Sequence, residues 1–281
     1  MRFARSLGTL LLCLASAAFA EEKPYLTLAS TTSTNDSGLF SSILPKFEAD
    51  TGVQVRVVAV GTGQALELGR RGDADALLVH DRASEDLFLQ EGQALLRRDV
   101  MYNDFVIVGP GGDPAGIRGE SSASRAFAQI AIRSAAFVSR GDDSGTHKAE
   151  LRIWKAAGID PRSGPHAWYR EAGGGMGATL NMAAELPAYT LTDRATWLAF
   201  RNPRELALLV EGDPGLRNPY GVLVVNPALH PHVKVELATR FADWLTGSAG
   251  RAAIEAFRID GKQVFFLLPP AETRPSPTPR P

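Results

Sequence analysis

The chain has 281 residues and a nearly balanced charge, with 30 Lys and Arg against 31 Asp and Glu. With 44% apolar residues it holds enough core material for one large domain or two lobes. No basic block interleaved with aromatics appears, which excludes a nucleic-acid surface. The single cysteine, Cys13, excludes a disulfide framework, a thiolate metal site and a cysteine nucleophile in the mature chain.

Residues 1–20 read as a secretory signal. Arg2 and Arg5 give the basic start, residues 7–18 the apolar run and Ala18-Phe19-Ala20 the small-x-small cleavage site. That run is too short to span a bilayer comfortably, and nothing comparable follows. Cys13 lies behind Leu10-Leu11-Leu12, which is not a lipid-attachment context. A periplasmic product with no direct membrane anchor is expected.

Residues 25–29 form the first expected strand, and 36–50 read as a helix with Leu39, Ile43, Leu44 and Phe47 at helical spacing and Pro45 as a blemish. Thr51-Gly52 turns the chain into a β-branched strand at 53–60. Gly61-Thr62-Gly63 precedes a short helix at 64–70. A strand at 74–80 and a helix capped by Ser84 and running to Gln90 follow. This β-α-β-α-β-α order favours a parallel sheet with right-handed crossovers.

A strand at 105–108, closed by Gly109-Pro110, leads into a second lobe. There the pattern gives a helix at 122–132, a strand at 135–139 and a helix ending at Ala157. A glycine-rich turn at 173–177, a helix at 178–186, a strand at 188–191 and a helix capped by Asp193 come next. The apolar strand 220–225 is the expected return crossing, and the amphipathic helix 233–246 packs back on the first lobe. Lobe I is thus expected over 21–104 plus 226–268 and lobe II over 105–225. Residues 269–281, rich in proline, read as a disordered tail.

Two polar stretches carry the chemistry. Ser30-Thr31-Thr32-Ser33-Thr34 follows the first strand, and Ser139-Arg140-Gly141-Asp142-Asp143-Ser144-Gly145-Thr146 follows a strand of the second lobe. Both open helices, where backbone N–H groups lack partners and the dipole favours anions. Capping needs one hydroxyl, whereas five stand in a row at 30–34, which favours a ligand role. Thr62 sits at a second strand end of the same sheet, where ligands of parallel sheets bind. Arg140 either reaches into that crevice or pairs at the surface with Asp142 or Asp143, one of which is expected to cap the helix. Gly173–Gly177 is a flexible loop or a close approach of backbone donors to an anion.

An exported serine hydrolase using Ser144 is the competing enzyme reading. Gly-Asp-Asp-Ser-Gly misplaces the first glycine of a nucleophile elbow, and His147 lies along the same helix face. The five histidines show no metal-ligand spacing.

In order along the chain, ASTTSTNDSGL, VGTGQAL, GDADALLVH, MYNDFVIVGP, SRGDDSGTHKAEL and AYTLTDRATWL resemble the periplasmic tungstate-binding proteins of ABC importers, the TupA type. The likeness runs from about Tyr25 to Phe266; Ser30 stands where that pattern more often has threonine. The resemblance implies an α/β type II periplasmic binding protein, each lobe a mixed, mostly parallel sheet flanked by helices, with a hinge of two crossing strands. It implies that Ser30, Thr31, Thr32, Ser33 and Thr62 donate from lobe I, and Arg140, Ser144, Gly145 and Thr146 from lobe II. Met176, Gly177 and Thr190 join them by analogy with the wider oxyanion-binding fold. No catalytic residue, cofactor or metal is implied. The expected partners are tungstate or molybdate and an ABC permease, and the chain is expected to be a monomer.

Tungstate and molybdate are bare dianions with acceptor oxygens only, so a matching site holds donors and no inward carboxylate. Phosphate keeps a proton near pH 7 and would seek an acceptor such as Asp36 or Asp143. Phosphate and sulfate are the alternative ligands.

Overall fold

The computed structural model describes residues 23–163 and 167–268, so the signal at 1–20 and the tail at 269–281 lie outside the described residues. The first lobe opens with β1 (Tyr25–Thr31), α1 (Thr32–Asp36), α2 (Leu39–Thr51), β2 (Gln54–Val60), α3 (Thr62–Arg70), β3 (Ala76–Val79) and α4 (Arg82–Gln90). β1 runs parallel to β2, from Tyr25 opposite Gln54 to Thr31 opposite Val60, and parallel to β3 on its other side. All three strands therefore end at one edge, where the polar motif begins. The helix expected at 36–50 is α2, which starts only at Leu39, and the hydroxyl run before it forms a separate short helix, α1. Gly38 takes φ +82° between them, a left-handed conformation that glycine adopts without steric cost. Pro45 sits inside α2 without ending it.

β4 (Ala94–Pro110) is one strand of 17 residues and joins the two sheets. Its first part pairs antiparallel with β9 (Arg217–Val225), and its end, from Phe105, pairs with β7 (Thr190–Asp193) and β8 (Leu206–Val210). Between them the chain forms α5 (Ala123–Ile132), β5 (Phe137–Ser139), α6 (Gly145–Ala156), β6 (Tyr169–Glu171), α7 (Met176–Glu185) and α8 (Arg194–Ala199). α9 (Val235–Thr246), α10 (Ser248–Ala256), β10 (Arg258–Ile259), β11 (Lys262–Gln263) and β12 (Phe266–Leu267) follow β9. β12 returns to pair with β4.

The first lobe closes over Leu26, Leu28, Ile43 and Phe47, against which Phe241 and Leu245 of α9 pack as the amphipathic pattern predicts. The Phe47 and Phe241 rings meet edge to face at 5.2 Å. The second lobe has its own core, in which Phe127, Phe137 and Trp154 pack together. Three local expectations are corrected. Val79 pairs with Gly221 and Leu77 with Leu223, so β9 lies in the first sheet, whereas the boundary at 225 placed it in lobe II. The crossing itself falls where Asn103 faces Asn218 and Asp104 faces Arg217. α4 begins after Asp81 and not Ser84, and α6 is capped by Ser144 and not by Asp142 or Asp143.

Candidate oxyanion-binding site

The carboxyl ends of β1, β2 and β3 face the start of α6 and the turn before α7. From β1, Thr31 caps α1: its hydroxyl accepts from the Thr34 N–H at 3.3 Å and lies 2.7 Å from the Thr34 hydroxyl. Just after β2, at the first residue of α3, buried Thr62 accepts the Gly145 N–H at 3.1 Å, a bond that spans the two lobes. A methyl group at Gly145 would lie 2.8 Å from His80 Cε1 and 3.0 Å from Thr62 Oγ1, so this helix start approaches closely only as glycine. A side chain begun at Gly175 would stand 3.8 Å from Thr32 Oγ1, which puts the α7 turn beside the first motif.

Arg140 is 2% exposed, so the surface-pair reading is only half right. Its Nη2 donates to Asp142 Oδ2 at 2.5 Å, while its buried Nε has no partner. Among the described residues, eight side chains hold a buried polar atom without a hydrogen-bond partner. Four of them, Thr32, Arg140, Thr146 and His147, lie on the two polar motifs and the helix turns they open. An unpaired buried donor costs about 1–3 kcal/mol. Concentrating such donors here is sensible only for a site that receives an acceptor.

The nearby acids are already engaged. Asp142 Oδ1 accepts from Ser144 N–H, and Asp193 accepts from Thr196 N–H at 2.9 Å, Thr196 Oγ1 at 2.6 Å and Asn103 Nδ2 at 3.3 Å. Asp36 and Asp143 are exposed.

Sequence reasoning missed His80, which follows β3 as the third strand end. Asp193 acts as acceptor for Asn103, so Asn103 turns its Oδ1 to Asn218 Nδ2 at 2.7 Å. Asn218 in turn presents Oδ1 to His80 Nδ1 at 3.0 Å. The imidazole proton therefore sits on Nδ1, and Nε2 accepts the Thr31 hydroxyl at 3.1 Å, with Ser33 Oγ at 3.4 Å. Burial, assisted by the Arg140 charge, lowers this histidine from 6.5 to about 4. Between those values the unfolded chain binds the proton and the native protein does not. The stabilisation is complete above 6.5 and is lost as pH falls toward 4. It amounts to about 3 kcal/mol. Urea unfolding between pH 4.5 and 7.5 should show a steeper acid loss for wild type than for His80→Gln; equal slopes would overturn the neutral assignment.

Several expected site residues already make contacts within their own lobe. Ser30 Oγ donates to Leu78 O at 2.6 Å, pinning β1 to β3. Ser144 Oγ accepts from His147 N–H as the α6 cap. The Thr190 hydroxyl stays within β7, 3.5 Å from Leu191 O. The Met176 side chain packs with Val106, Val108 and Leu180, leaving only its backbone, with that of Gly177, in the first turn of α7. His147 Nδ1 accepts from the Asp143 N–H at 3.1 Å, so Ser144 and His147 do not form a nucleophile–base pair. A groove of about 840 Å³ opens elsewhere, lined by Tyr102, Arg194, Trp197 and Phe266 and by none of the expected site residues.

Two α/β lobes sharing crossing strands, with buried donors between their strand ends, define a solute-binding protein of the type II periplasmic kind. Residues 17–249 match the PBP superfamily domain, and the chain belongs to that superfamily and, within it, to the TupA family of tungstate-binding proteins. It is 45% identical over 247 residues to the tungstate-binding protein TupA of Peptoclostridium acidaminophilum, covering 87% of this chain and 84% of that one. The crystal structure of the tungstate ABC transporter from Geobacter sulfurreducens is 50% identical, with a TM-score of 0.76 over 83% of this chain and 98% of that one. TupA from Desulfovibrio alaskensis G20 is 44% identical, with a TM-score of 0.72 over 87% and 99%. No described helix is long and apolar enough to cross a membrane.

Proposed function

We propose that this protein captures tungstate, and molybdate as its near-equivalent, between its lobes in the periplasm and delivers it to an ABC permease without catalysing a reaction. The carrying observation is the pairing of unpartnered donors at Thr32, Arg140 and Thr146 with acids whose oxygens are engaged or exposed. Such a site suits a bare dianion, because the Arg140 guanidinium can only donate and the buried acids beside it are engaged, which leaves a protonated anion such as phosphate no carboxylate to receive its hydrogen. In this reading Thr32, Thr62, Arg140, Thr146 and the Met176 and Gly177 backbones hold the anion. Thr31 and Ser33 reach it through the His80 cluster. Ser30, Ser144 and Thr190 shape the walls. The reading needs no cofactor or metal, and lobe I over 23–103 and 218–268 closes on lobe II between the crossings.

The test is a thermal melt of ligand-stripped protein with an oxyanion panel. A ligand present at about a thousand times its Kd stabilises the native state by about 4 kcal/mol. Tungstate and molybdate should raise Tm strongly at micromolar excess, sulfate, a bare dianion but a smaller one, less, and protonated phosphate far less. Equal shifts with phosphate would overturn the dianion reading while leaving an oxyanion carrier.

A further inference from the structure

We propose that Asp81 and Arg152 form a clasp across the cleft, positioning the start of α6 on the anion without touching it. Asp81 ends the β3 loop in the first lobe and is 3% exposed. Arg152 lies on α6, in the second lobe, and its Nη1 donates to Asp81 Oδ1 at 2.7 Å. The other Asp81 oxygen accepts from Ser84 Oγ at 2.5 Å. One turn earlier on α6, Lys148 Nζ donates to Ser84 Oγ at 3.1 Å and stands 3.7 Å from Asp143. Two cations four residues apart thus meet one buried acid and its hydroxyl partner. The same helix delivers Gly145 to Thr62 and carries the unpartnered Thr146 hydroxyl.

Burial alone would raise the Asp81 carboxyl, but Ser84, Arg152 and Lys148 together hold it below the ordinary range. The carboxylate is therefore charged and committed to these partners. Arg152 itself is half exposed, and an exposed ion pair is weak. Asp81 is not exposed, and its pairing exists only with the lobes together. An interaction present in one of two states shifts the population toward that state. The clasp therefore slows ligand escape, while the encounter, made with the lobes apart, is left nearly unchanged.

The proposal rests on lobe closure over an oxyanion, and the test uses tungstate with the mature chain. Arg152→Gln and Asp81→Asn should each accelerate tungstate dissociation about 5- to 20-fold in stopped-flow measurements, with the association rate changed less than twofold. Arg152→Lys should restore much of the loss, and the double variant should be no worse than either single one. Raising salt should speed release from wild type and leave Arg152→Gln unmoved. Unchanged dissociation in Arg152→Gln, with wild type binding tungstate, overturns the clasp. A wild type that ignores tungstate overturns the functional reading alone. The clasp is then decided by spin-label distances between the lobes of the ligand-free protein, which must lengthen in Arg152→Gln; identical distributions overturn it. Labels can be placed cleanly, because the chain after Cys13 has no cysteine.

Discussion

Arg140→Ala is expected to weaken tungstate binding by about 2–4 kcal/mol, roughly 30- to 700-fold. The guanidinium is buried, fixed at one end by Asp142 and unpartnered at Nε. It costs little to order on binding, and its charge-assisted bond forms in a desolvated place. Removing it also leaves Asp142 without its cation, so the loop from Ser139 to Ser144 loses a brace. Arg140→Lys should recover only part, because an ammonium cannot hold Asp142 and the anion with one planar fork. Calorimetry giving wild-type affinity in both variants would return Arg140 to a structural role.

The largest stability loss is expected beneath that loop, at Glu150. This carboxylate lies on α6 and is 1% exposed. Its Oε1 accepts from Trp154 Nε1 at 3.1 Å and from the Tyr169 hydroxyl at 2.9 Å, and the Ser139 hydroxyl and Arg140 N–H face it as well. Glu150→Ala orphans these donors together and should cost about 3–5 kcal/mol in denaturant unfolding. A loss under 1 kcal/mol would show that the donors find other partners. Burial raises this carboxyl from 4.5 to about 7 despite its donors. The native protein therefore holds the proton more tightly than the unfolded chain. This contribution is complete below 4.5 and is lost as pH rises through 7, opposite in sign to that of His80. Glu150→Gln should flatten that decline, and an unchanged pH profile would count against it.

The first lobe was legible because its strands are buried and its helices periodic: Leu26 and Leu28 mark β1, and Ile43 and Phe47 mark α2. The first half of β4 was not, because Arg97, Arg98 and Asp99 interrupt its apolar run. Arg97 is nevertheless buried, its guanidinium paired with Glu85 at 2.7 Å, a partner twelve residues away that no local pattern announces. The polar motifs were legible as donor clusters, but residue type does not fix direction. Ser30 and Thr31 are neighbours, yet the pleat sends one hydroxyl to Leu78 and the other to His80. His80 carries no motif of its own; its place directly after the third parallel strand was the available signal. Asn103 and Asn218 are joined only by strand register, which a single sequence does not reveal.

β4 has a consequence for how the molecule comes apart. It is hydrogen-bonded to β9 and β12 on one side of the crossing and to β7 and β8 on the other. Neither lobe owns a complete sheet, so neither can be excised by cutting the chain once. Pulling β4 out of one sheet frees the end that anchors the other. Chemical unfolding should therefore proceed as a single transition for the whole molecule.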